Sequence, residues 1–269
     1  MSPALLCIGG MDSSGGAGLL RDAATAAEFG LPCRVAVTAV TAQTDRAVSA
    51  LHPVPPEVVA AQIAAGAPGA RAVKIGMLGC GAIIRAVAAA LDQTLDHARA
   101  QTRVGVPLVL DPVLRSSSGR DLLDPAGLGV LIETLLPRAT LLTPNLPELR
   151  ALGDWLGLPP GAEAAAIVAA LQARGAGAVL VKGGHAEGAT DARDRLYLPG
   201  AEIREFTAPR HALALRGTGC HLACAIAAGL ALGQTLPEAI GRAKASVAAR
   251  FAAAGRADTK ASFETGTMP

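Results

Sequence analysis

The sequence predicts an α/β protein: a three-layer arrangement with a mostly parallel central sheet, helices on both faces and antiparallel strands at its edge. Short runs rich in Val, Ile and Leu alternate with longer Ala-rich stretches, the pattern of strand–helix–strand units. The short runs are apolar throughout, which is typical of strands buried on both faces. No linker and no repeat interrupts this alternation, so we expect a single domain over 1–269.

The strands are identified by their apolar runs and the helices by Ala-rich stretches between turn residues. Strands are predicted at 4–9, 33–41, 72–75, 107–111, 139–143, 178–182, 195–198 and 202–207. Helices are predicted at 17–30, from 56 onwards, and at 80–98, 125–135, 147–152, 162–174, 219–232 and 236–254. Pro56 is tolerated in a first helical turn, and Pro144 stops the strand before it. Pro199-Gly200 favours an antiparallel hairpin turn, and 255–269 is expected to be a loose tail.

The composition excludes several classes of protein. Hydrophobic residues make up 51% of the 269 residues and charged residues 17%, so the chain is not disordered. A net charge of +2 with 2% aromatic residues provides neither the charge nor the stacking groups expected for nucleic-acid binding. The longest apolar run, 222–233, has 12 residues, whereas a membrane span needs roughly 20. Five scattered cysteines indicate free thiols, and we expect a cytoplasmic protein.

The first motif joins the first strand to the first helix and reads G-G-M-D-S-S-G-G-A-G over 9–18. Small residues let the backbone approach a ligand closely, and the helix start offers unpaired N–H groups. Gly10 and Asp12 are therefore candidate substrate-binding residues. The alternative is a tight strand–helix turn, which would not need Asp12 and so many small residues.

Two further candidates for substrate binding follow strands. Gln43 offers a donor and an acceptor side by side, which suits the edge of an aminopyrimidine or an amide. Met77, in K-I-G-M, could form one wall of a pocket for a small flat ligand. Each residue also has an ordinary interpretation, a solvent-facing glutamine in a loop and a core methionine beside a turn.

Charged side chains at three later strand ends point to a nucleotide. Asp111 begins D-P-V and Glu148 ends T-P-N-L-P-E, and hard carboxylate oxygens suit Mg²⁺ held with a nucleotide. Lys182, in K-G-G-H, could neutralise phosphate. Helix capping is the alternative role for Glu148, although capping explains one carboxylate more easily than the whole string.

The motif that carries most chemistry is R-G-T-G-C-H at 216–221. Gly217, Thr218 and Gly219 precede an apolar helix, and their N–H groups together with the helix dipole form an anion site. Cys220 falls in the first helical turn, where we expect a lowered thiol pKa. Phosphoryl transfer needs such donors around the moving group and a base near the attacking hydroxyl. A helix start with a small buried cysteine is the alternative.

Together these motifs resemble one family, the hydroxymethylpyrimidine/phosphomethylpyrimidine kinases of the ribokinase superfamily. Seven strings occur in order between residues 8 and 220: I-G-G-M-D-S-S-G-G-A-G, V-T-A-Q, K-I-G-M-L, D-P-V, T-P-N-L-P-E, K-G-G-H and G-T-G-C. The resemblance implies a ribokinase-like fold, ATP with Mg²⁺, a homodimer, and phosphorylation of a hydroxymethylpyrimidine and of its monophosphate in thiamine biosynthesis.

The resemblance also implies roles for individual residues. The pyrimidine-binding glutamine of the family falls on Gln43, with Met77 in the same pocket. Further substrate positions fall on Ala17, Asp22 and Val109. Mg²⁺ and phosphate are implied for Asn145 and Glu148, with Lys182 on the nucleotide side. The anion hole falls on 217–219, and Cys220 stands where sugar kinases of the superfamily carry an aspartate base.

The chain departs from the family pattern before G-T-G-C, where it reads A-L-A-L-R instead of T-K-N-x-H. Met11 replaces a small Ser or Thr, and His221 replaces a small residue. Two other functions therefore stay open. One is a vitamin B6 kinase of the same superfamily, and the other is a catalytically silent ligand-binding protein on the same fold.

Overall fold

The computed structural model describes residues 3–102, 105–183, 191–200, 202–210 and 215–265. Strands in these ranges are β1 (Ala4–Asp12), β2 (Cys33–Gln43), β3 (Val48–Pro53), β4 (Ala70–Ile75), β5 (Leu108–Leu110), β6 (Leu141–Leu142), β7 (Ala178–Val181), β8 (Asp191–Tyr197) and β9 (Ile203–Pro209). They form one sheet in the order β3-β2-β1-β4-β5-β6-β7-β8-β9. The six strands from β2 to β7 in this order are parallel, and β3, β8 and β9 are antiparallel. The predicted fold class is confirmed.

Helices cover both faces of this sheet. They are α1 (Gly18–Glu28), α2 (Pro56–Gly66), α3 (Gly81–Thr102), α4 (Pro125–Val130), α5 (Leu146–Trp155), α6 (Ala164–Ala173), α7 (Thr218–Ala231) and α8 (Leu236–Thr265). Alternation along β1 supplies both cores, because successive side chains of a strand point to opposite faces. Leu6 and Ile8 pack with α2, α3, α5 and α6. Leu5 and Cys7 pack with α1, α7 and α8.

The structure differs from the sequence prediction in three elements. β3 was not predicted, because only Val48 of its residues is fully buried and an exposed edge strand lacks an apolar run. The helix predicted at 125–135 is α-helical only to Val130 and continues as a π-helical turn. α8 continues to Thr265 where a loose tail was expected from 255, because the helix passes through Gly255 and no proline stops it before 265. Residues 266–269 lie outside the described residues.

We also examined the helices for membrane spans. Within the described ranges, none is both long enough and apolar enough to cross a bilayer.

Candidate active site

A cleft of about 1430 Å³ lies at the carboxyl ends of the parallel strands, beside the N-terminus of α7. Loops after neighbouring parallel strands meet at this edge, where open α/β sheets bind ligands. Because the strand order is β2-β1-β4-β5-β6-β7, the loops after β2, β1 and β4 form one side of the cleft. The loops after β5, β6 and β7 form the other side. All the predicted site residues except Val109 line this cleft.

Val109 is the predicted site residue that does not border the cleft. Its side chain is completely buried in the core that β5 shares with α7 and does not border the cleft. The physical reason is strand alternation: Leu108 and Leu110 point to the opposite core. A position in the middle of a three-residue strand therefore has no path to the cleft.

Asp12 organises the glycine-rich loop. One carboxylate oxygen accepts hydrogen bonds from Ser14 N at 2.9 Å and Ser14 Oγ at 2.8 Å, and the other accepts from Ala17 N at 2.9 Å. The loop must pass close to β1, since a Cβ on Gly18 would lie 2.4 Å from the carbonyl oxygen of Gly10. Both carboxylate oxygens of Asp12 therefore accept hydrogen bonds from the loop, and the loop backbone faces the cleft.

Gln43 and Met77 lie on the β2–β1–β4 side of the cleft, as predicted. The backbone N–H of Gln43 donates to Ser13 Oγ at 2.9 Å, which ties the end of β2 to the glycine-rich loop. Its Oε1 lies 3.3 Å from Oγ1 of Thr41. Met77 packs against Gly10, where an added Cβ would lie 2.8 Å from its sulfur. The Met77 sulfur is therefore in direct contact with the Gly10 backbone, and the residues of this contact border the cleft together with Gln43.

A completely buried ion pair lies beneath this side of the cleft. Lys74 Nζ is 2.8 Å from Asp22 Oδ2, and the two side chains are 1% and 0% exposed. Burial raises the pKa of Asp22 despite Lys74. Burial acts to lower the pKa of Lys74, but Asp22 and neighbouring acidic groups raise it, and the net shift is upward. In the described part of the chain, Asp22 Oδ1 has no hydrogen-bond partner, so one buried acceptor stays available at the cleft.

Cys220 faces the cleft from the first turn of α7, between the two sides. It is partly exposed to the cleft, yet protein encloses the thiol closely. Burial raises its pKa, and the positive charge of Lys74 offsets this only in part. The lowered pKa expected from the sequence is therefore wrong in direction, because enclosure among Asp22 and other acidic groups outweighs the favourable charges.

The glycine turn before Cys220 has a conformation that only glycine adopts readily. Gly217 has φ +68°, and a Cβ there would lie 2.2 Å from the carbonyl oxygen of Gly16. The turn therefore packs directly against the glycine-rich loop. The N-terminus of α7 opens into the cleft, with Gly219 facing Lys182: a Cβ at 219 would lie 3.4 Å from Lys182 Nζ. An anion held by the turn would meet this lysine.

Lys182 joins two buried carboxylates on the β5–β6–β7 side. Its Nζ lies 2.8 Å from Asp111 Oδ1 and 3.8 Å from Glu148 Oε2. Thr143 Oγ1 also donates to Asp111 at 2.9 Å. Burial opposes ionisation of Asp111, but Lys182 and Lys74 outweigh it and lower the pKa. Burial raises the pKa of Glu148 to about 7, with Lys182 opposing that shift.

The capping role considered for Glu148 is present as well. Its Oε2 accepts from Asn145 N at 2.8 Å, and Asn145 Oδ1 accepts from Glu148 N at 2.8 Å, a reciprocal capping box that begins α5. Capping and a cleft-facing role coexist, because the start of α5 is itself at the cleft. The capping box fixes both side chains beside Lys182.

Comparison with known proteins decides the family. The family model described as phosphomethylpyrimidine kinase matches residues 12–263, which contain every cleft element described above except Gly10. The chain belongs to the phosphomethylpyrimidine kinase family. Its fold is ribokinase-like, as the resemblance predicted.

Individual relatives agree with this family. The hydroxymethylpyrimidine/phosphomethylpyrimidine kinase of Mycobacterium tuberculosis is 42% identical over 241 residues, covering 88% of this chain and 84% of the relative. The crystal structure of phosphomethylpyrimidine kinase from Clostridium difficile has a TM-score of 0.76 at 31% identity, covering 92% and 98% of the two chains. Pyridoxal kinase from Staphylococcus aureus, solved with AMP-PCP and pyridoxal, has a TM-score of 0.76 at 30% identity, covering 91% and 86%.

For this member of the family, sequence reasoning missed two residues at the cleft, Lys74 and Arg216. Lys74 is a lysine inside an apolar strand, and a charge in such a place needs a partner. That signal could have identified it, but not its partner Asp22, which is 52 residues away. Arg216 precedes the glycine turn, and its partners come from other loops, so no spacing in the sequence indicates them.

Proposed function

We propose that this protein transfers the γ-phosphoryl group of ATP to 4-amino-5-hydroxymethyl-2-methylpyrimidine and then to the resulting monophosphate, in thiamine biosynthesis. The observation that carries this proposal is one cleft that joins three features. The Gln43–Met77 pocket is on one side, the glycine turn of α7 is in the middle, and Lys182 with its carboxylates is on the other side. A substrate hydroxyl and a nucleotide phosphate bound on the two sides would meet at the turn.

On the β2–β1–β4 side, we assign the ring of the substrate to the part of the cleft that Gly10, Gln43 and Met77 border. The amide of Gln43 pairs with the aminopyrimidine edge, because it offers a donor and an acceptor together. Ala17 begins the helix that follows the loop and has no bulky side chain to fill this space. Asp22 Oδ1, buried without a partner among the described residues, is an acceptor for a substrate N–H or O–H.

At the turn, the N–H groups of residues 217–219 stabilise the negative charge of the transferring phosphoryl group. The substrate hydroxyl oxygen forms a bond to the γ-phosphorus, the bond from that phosphorus to the β,γ-bridging oxygen breaks, and ADP leaves. We assign the hydroxyl proton to Cys220 acting as the base. Because its pKa is raised, the thiolate is a strong base present at low population near neutral pH, and the Lys74 charge favours its formation.

On the β5–β6–β7 side, Lys182, Asn145 and Glu148 are assigned to the nucleotide phosphates and Mg²⁺, with Asp111. The donor set fits this ion: Asp111 and Glu148 supply hard oxygens, and Mg²⁺ commonly takes one or two carboxylates together with phosphates and water. Within the described residues, no cluster of three or more His, Cys, Asp or Glu residues could hold a metal, so the ion is expected with the nucleotide. When bound, it neutralises phosphate charge.

A vitamin B6 kinase is the second candidate, and a specific observation favours it. The pyridoxal kinase of Staphylococcus aureus and the Clostridium difficile phosphomethylpyrimidine kinase are equally similar to this chain in fold. Identity to the curated pyrimidine kinases is higher, at 42%, and supports the pyrimidine as the preferred substrate. A silent binding protein would not need Lys182 held against two buried carboxylates at the glycine turn.

The decisive experiment is a coupled assay of ADP release with purified protein, ATP and Mg²⁺. Hydroxymethylpyrimidine, its monophosphate, pyridoxal and ribose are compared in parallel, with the Lys182→Ala variant as the control for contaminating kinases. We expect kcat/KM to be highest for the two pyrimidines. A higher value for pyridoxal would favour the second candidate, and no ADP release with any acceptor would favour the silent protein.

We further propose a cytoplasmic homodimer. Val35 and Val40 are exposed on β2, and exposed apolar side chains on a strand support association with another copy. The five unpaired cysteines support a reducing compartment. Sedimentation equilibrium tests the dimer: Val40→Lys should shift wild-type dimer toward monomer, and a wild-type monomer at micromolar concentration would contradict the proposal.

A further inference from the structure

Arg216 lies directly before the glycine turn, borders the cleft, and leaves 15% of its side chain exposed. Its guanidinium donates to Ser14 Oγ at 3.0 Å, Asp12 Oδ2 at 3.1 Å and Asp45 Oδ1 at 2.9 Å. It therefore joins the glycine-rich loop, the turn between β2 and β3, and the start of α7. The glycine-rich loop and the start of α7 line the cleft, and the turn directly follows Gln43, which also lines it.

The two carboxylates that pair with Arg216 differ in how firmly the protein holds them. Asp12 is 4% exposed and is fixed by the loop backbone, so its pairing is permanent. Asp45 is 84% exposed on the β2–β3 turn. An ion pair with such an exposed partner contributes little to stability. An anion with better access can thus replace Asp45 without disturbing the loop.

The lysine on the same side of the cleft as Arg216 cannot bind an incoming anion. Lys74 is completely buried and already paired with Asp22. Lys182 is paired with Asp111 and Glu148 across the turn, on the side assigned to the nucleotide. Arg216 is the cation at the β2–β1–β4 side whose second countercharge is exposed and exchangeable.

From this arrangement we propose that Arg216 is a specificity-determining residue for the phosphorylated substrate. On binding, the phosphate monoester of the pyrimidine replaces Asp45 at the guanidinium, while Asp12 and Ser14 keep the arginine in place. The hydroxymethyl group of the alcohol substrate is neutral, so the positive charge of Arg216 does not strengthen its binding. This inference rests on the proposed function, since the two acceptors belong to its two successive steps.

The physical basis is the extra charge of the second acceptor. A phosphate monoester carries about −1.5 to −2 at neutral pH, and it must sit near the glycine turn while a second phosphoryl group arrives. A guanidinium forms strong charge-assisted hydrogen bonds with phosphate, often two in parallel. An arginine side chain stays protonated in proteins, so the positive charge at position 216 is permanent.

The test compares kcat/KM for the alcohol and for the monophosphate in wild type, Arg216→Gln and Arg216→Lys. We expect Arg216→Gln to lower the value for the monophosphate at least about tenfold more than the value for the alcohol. Arg216→Lys keeps the positive charge but lacks the planar guanidinium. Its kcat/KM for the monophosphate should therefore lie between the values of wild type and Arg216→Gln. Equal losses for both acceptors would show a purely structural clamp and overturn the inference.

Asp45→Asn is the matched control, because it removes only the exposed competitor. We expect Asp45→Asn to have a lower KM for the monophosphate than wild type. In wild type, we expect the KM for the monophosphate to rise with salt concentration more steeply than the KM for the alcohol. These two measurements remain decisive if Arg216→Gln fails to fold, and an unchanged KM together with equal salt dependence would overturn the inference. Wild type that phosphorylates neither acceptor would contradict the proposed function itself, a different outcome from equal losses.

Discussion

Two of the lysines that line the cleft, Lys74 and Lys182, have different surroundings. Lys74 has one carboxylate partner, Asp22, and both are completely buried. Lys182 has two, Asp111 and Glu148, and it is 13% exposed at the cleft. The first pair is balanced in charge and leaves one acceptor atom without a partner among the described residues. The second cluster has an excess of carboxylate.

This difference corresponds to the ligands proposed for each side. A balanced pair with an available acceptor suits a neutral ring that brings N–H and O–H donors. An excess of carboxylate beside a lysine suits a divalent cation together with polyphosphate, because each ligand group then meets opposite charge. Cys220 lies between them, and charges from both clusters act on its thiol.

The largest expected effect is at Cys220. If it accepts the hydroxyl proton, Cys220→Ser should lower kcat by about 10²–10⁴ with little change in the Kd of the pyrimidine. Because the pKa of the thiol is raised, wild-type kcat should keep rising with pH above neutrality, and the serine variant should lose this rise. A serine variant that retains most of the wild-type kcat would reduce Cys220 to a small residue that leaves room for the ring.

The next effect concerns stability. Lys74→Met leaves Asp22 buried without a countercharge and should lower the free energy of unfolding by about 3–5 kcal/mol. Lys182→Met is the matched control and should cost less stability, since Asp111 still accepts from Thr143, but it should raise the KM for ATP more. Urea unfolding and ATP kinetics on both variants measure this. Equal changes in both quantities would remove the distinction between the two lysines.

Gln43→Leu tests the pyrimidine side alone. It should leave polar atoms of the bound substrate without partners, at a cost of about 1–3 kcal/mol in kcat/KM for the pyrimidine. The KM for ATP is the internal control and should stay near the wild-type value, because Gln43 is on the opposite side from Lys182. Unchanged kinetics for the pyrimidine would exclude Gln43 from the site.

The smallest effect is a pH dependence of stability that depends on Glu148. Its pKa is about 7 in the folded chain against an ordinary value of 4.5, so between those pH values the folded protein binds more protons than the unfolded one. The contribution of Glu148 to stability is therefore lost as pH rises through this range. In metal-free, nucleotide-free protein, the difference in unfolding free energy between Glu148→Gln and wild type should grow from pH 5 to pH 8. A constant difference would contradict the shift.

Much of the fold follows from local patterns. The apolar runs predict the six parallel strands because buried parallel strands are apolar on both faces, and the turn residues Pro199-Gly200 indicate the hairpin of β8 and β9. β3 is absent from that prediction because it is an exposed edge. The end of α8 was predicted too early, at 254, since the helix passes through Gly255 and residues 255–265 contain no proline that would stop it.

The sequence by itself determined that most of the predicted site residues lie at one edge of the sheet. Gln43, Asp111 and Lys182 each follow a strand, and in a parallel sheet those ends meet at one edge whatever the detailed packing. The sequence placed the glycine-rich motif 9–18 and the glycine turn 217–219 at the same edge, whereas their close approach to each other appears only in the structure. Order along the chain and residue type were sufficient for these positions.

Only the tertiary structure decided the charges and the partners. Asp22 and Lys74 are 52 residues apart, and Arg216 bonds to Asp12 across 204 residues. The direction of the Cys220 pKa also depends on groups that the fold brings near it, and Val109 is excluded by which face of β5 it occupies. Such properties depend on distance and burial in space, and chain order does not specify either one.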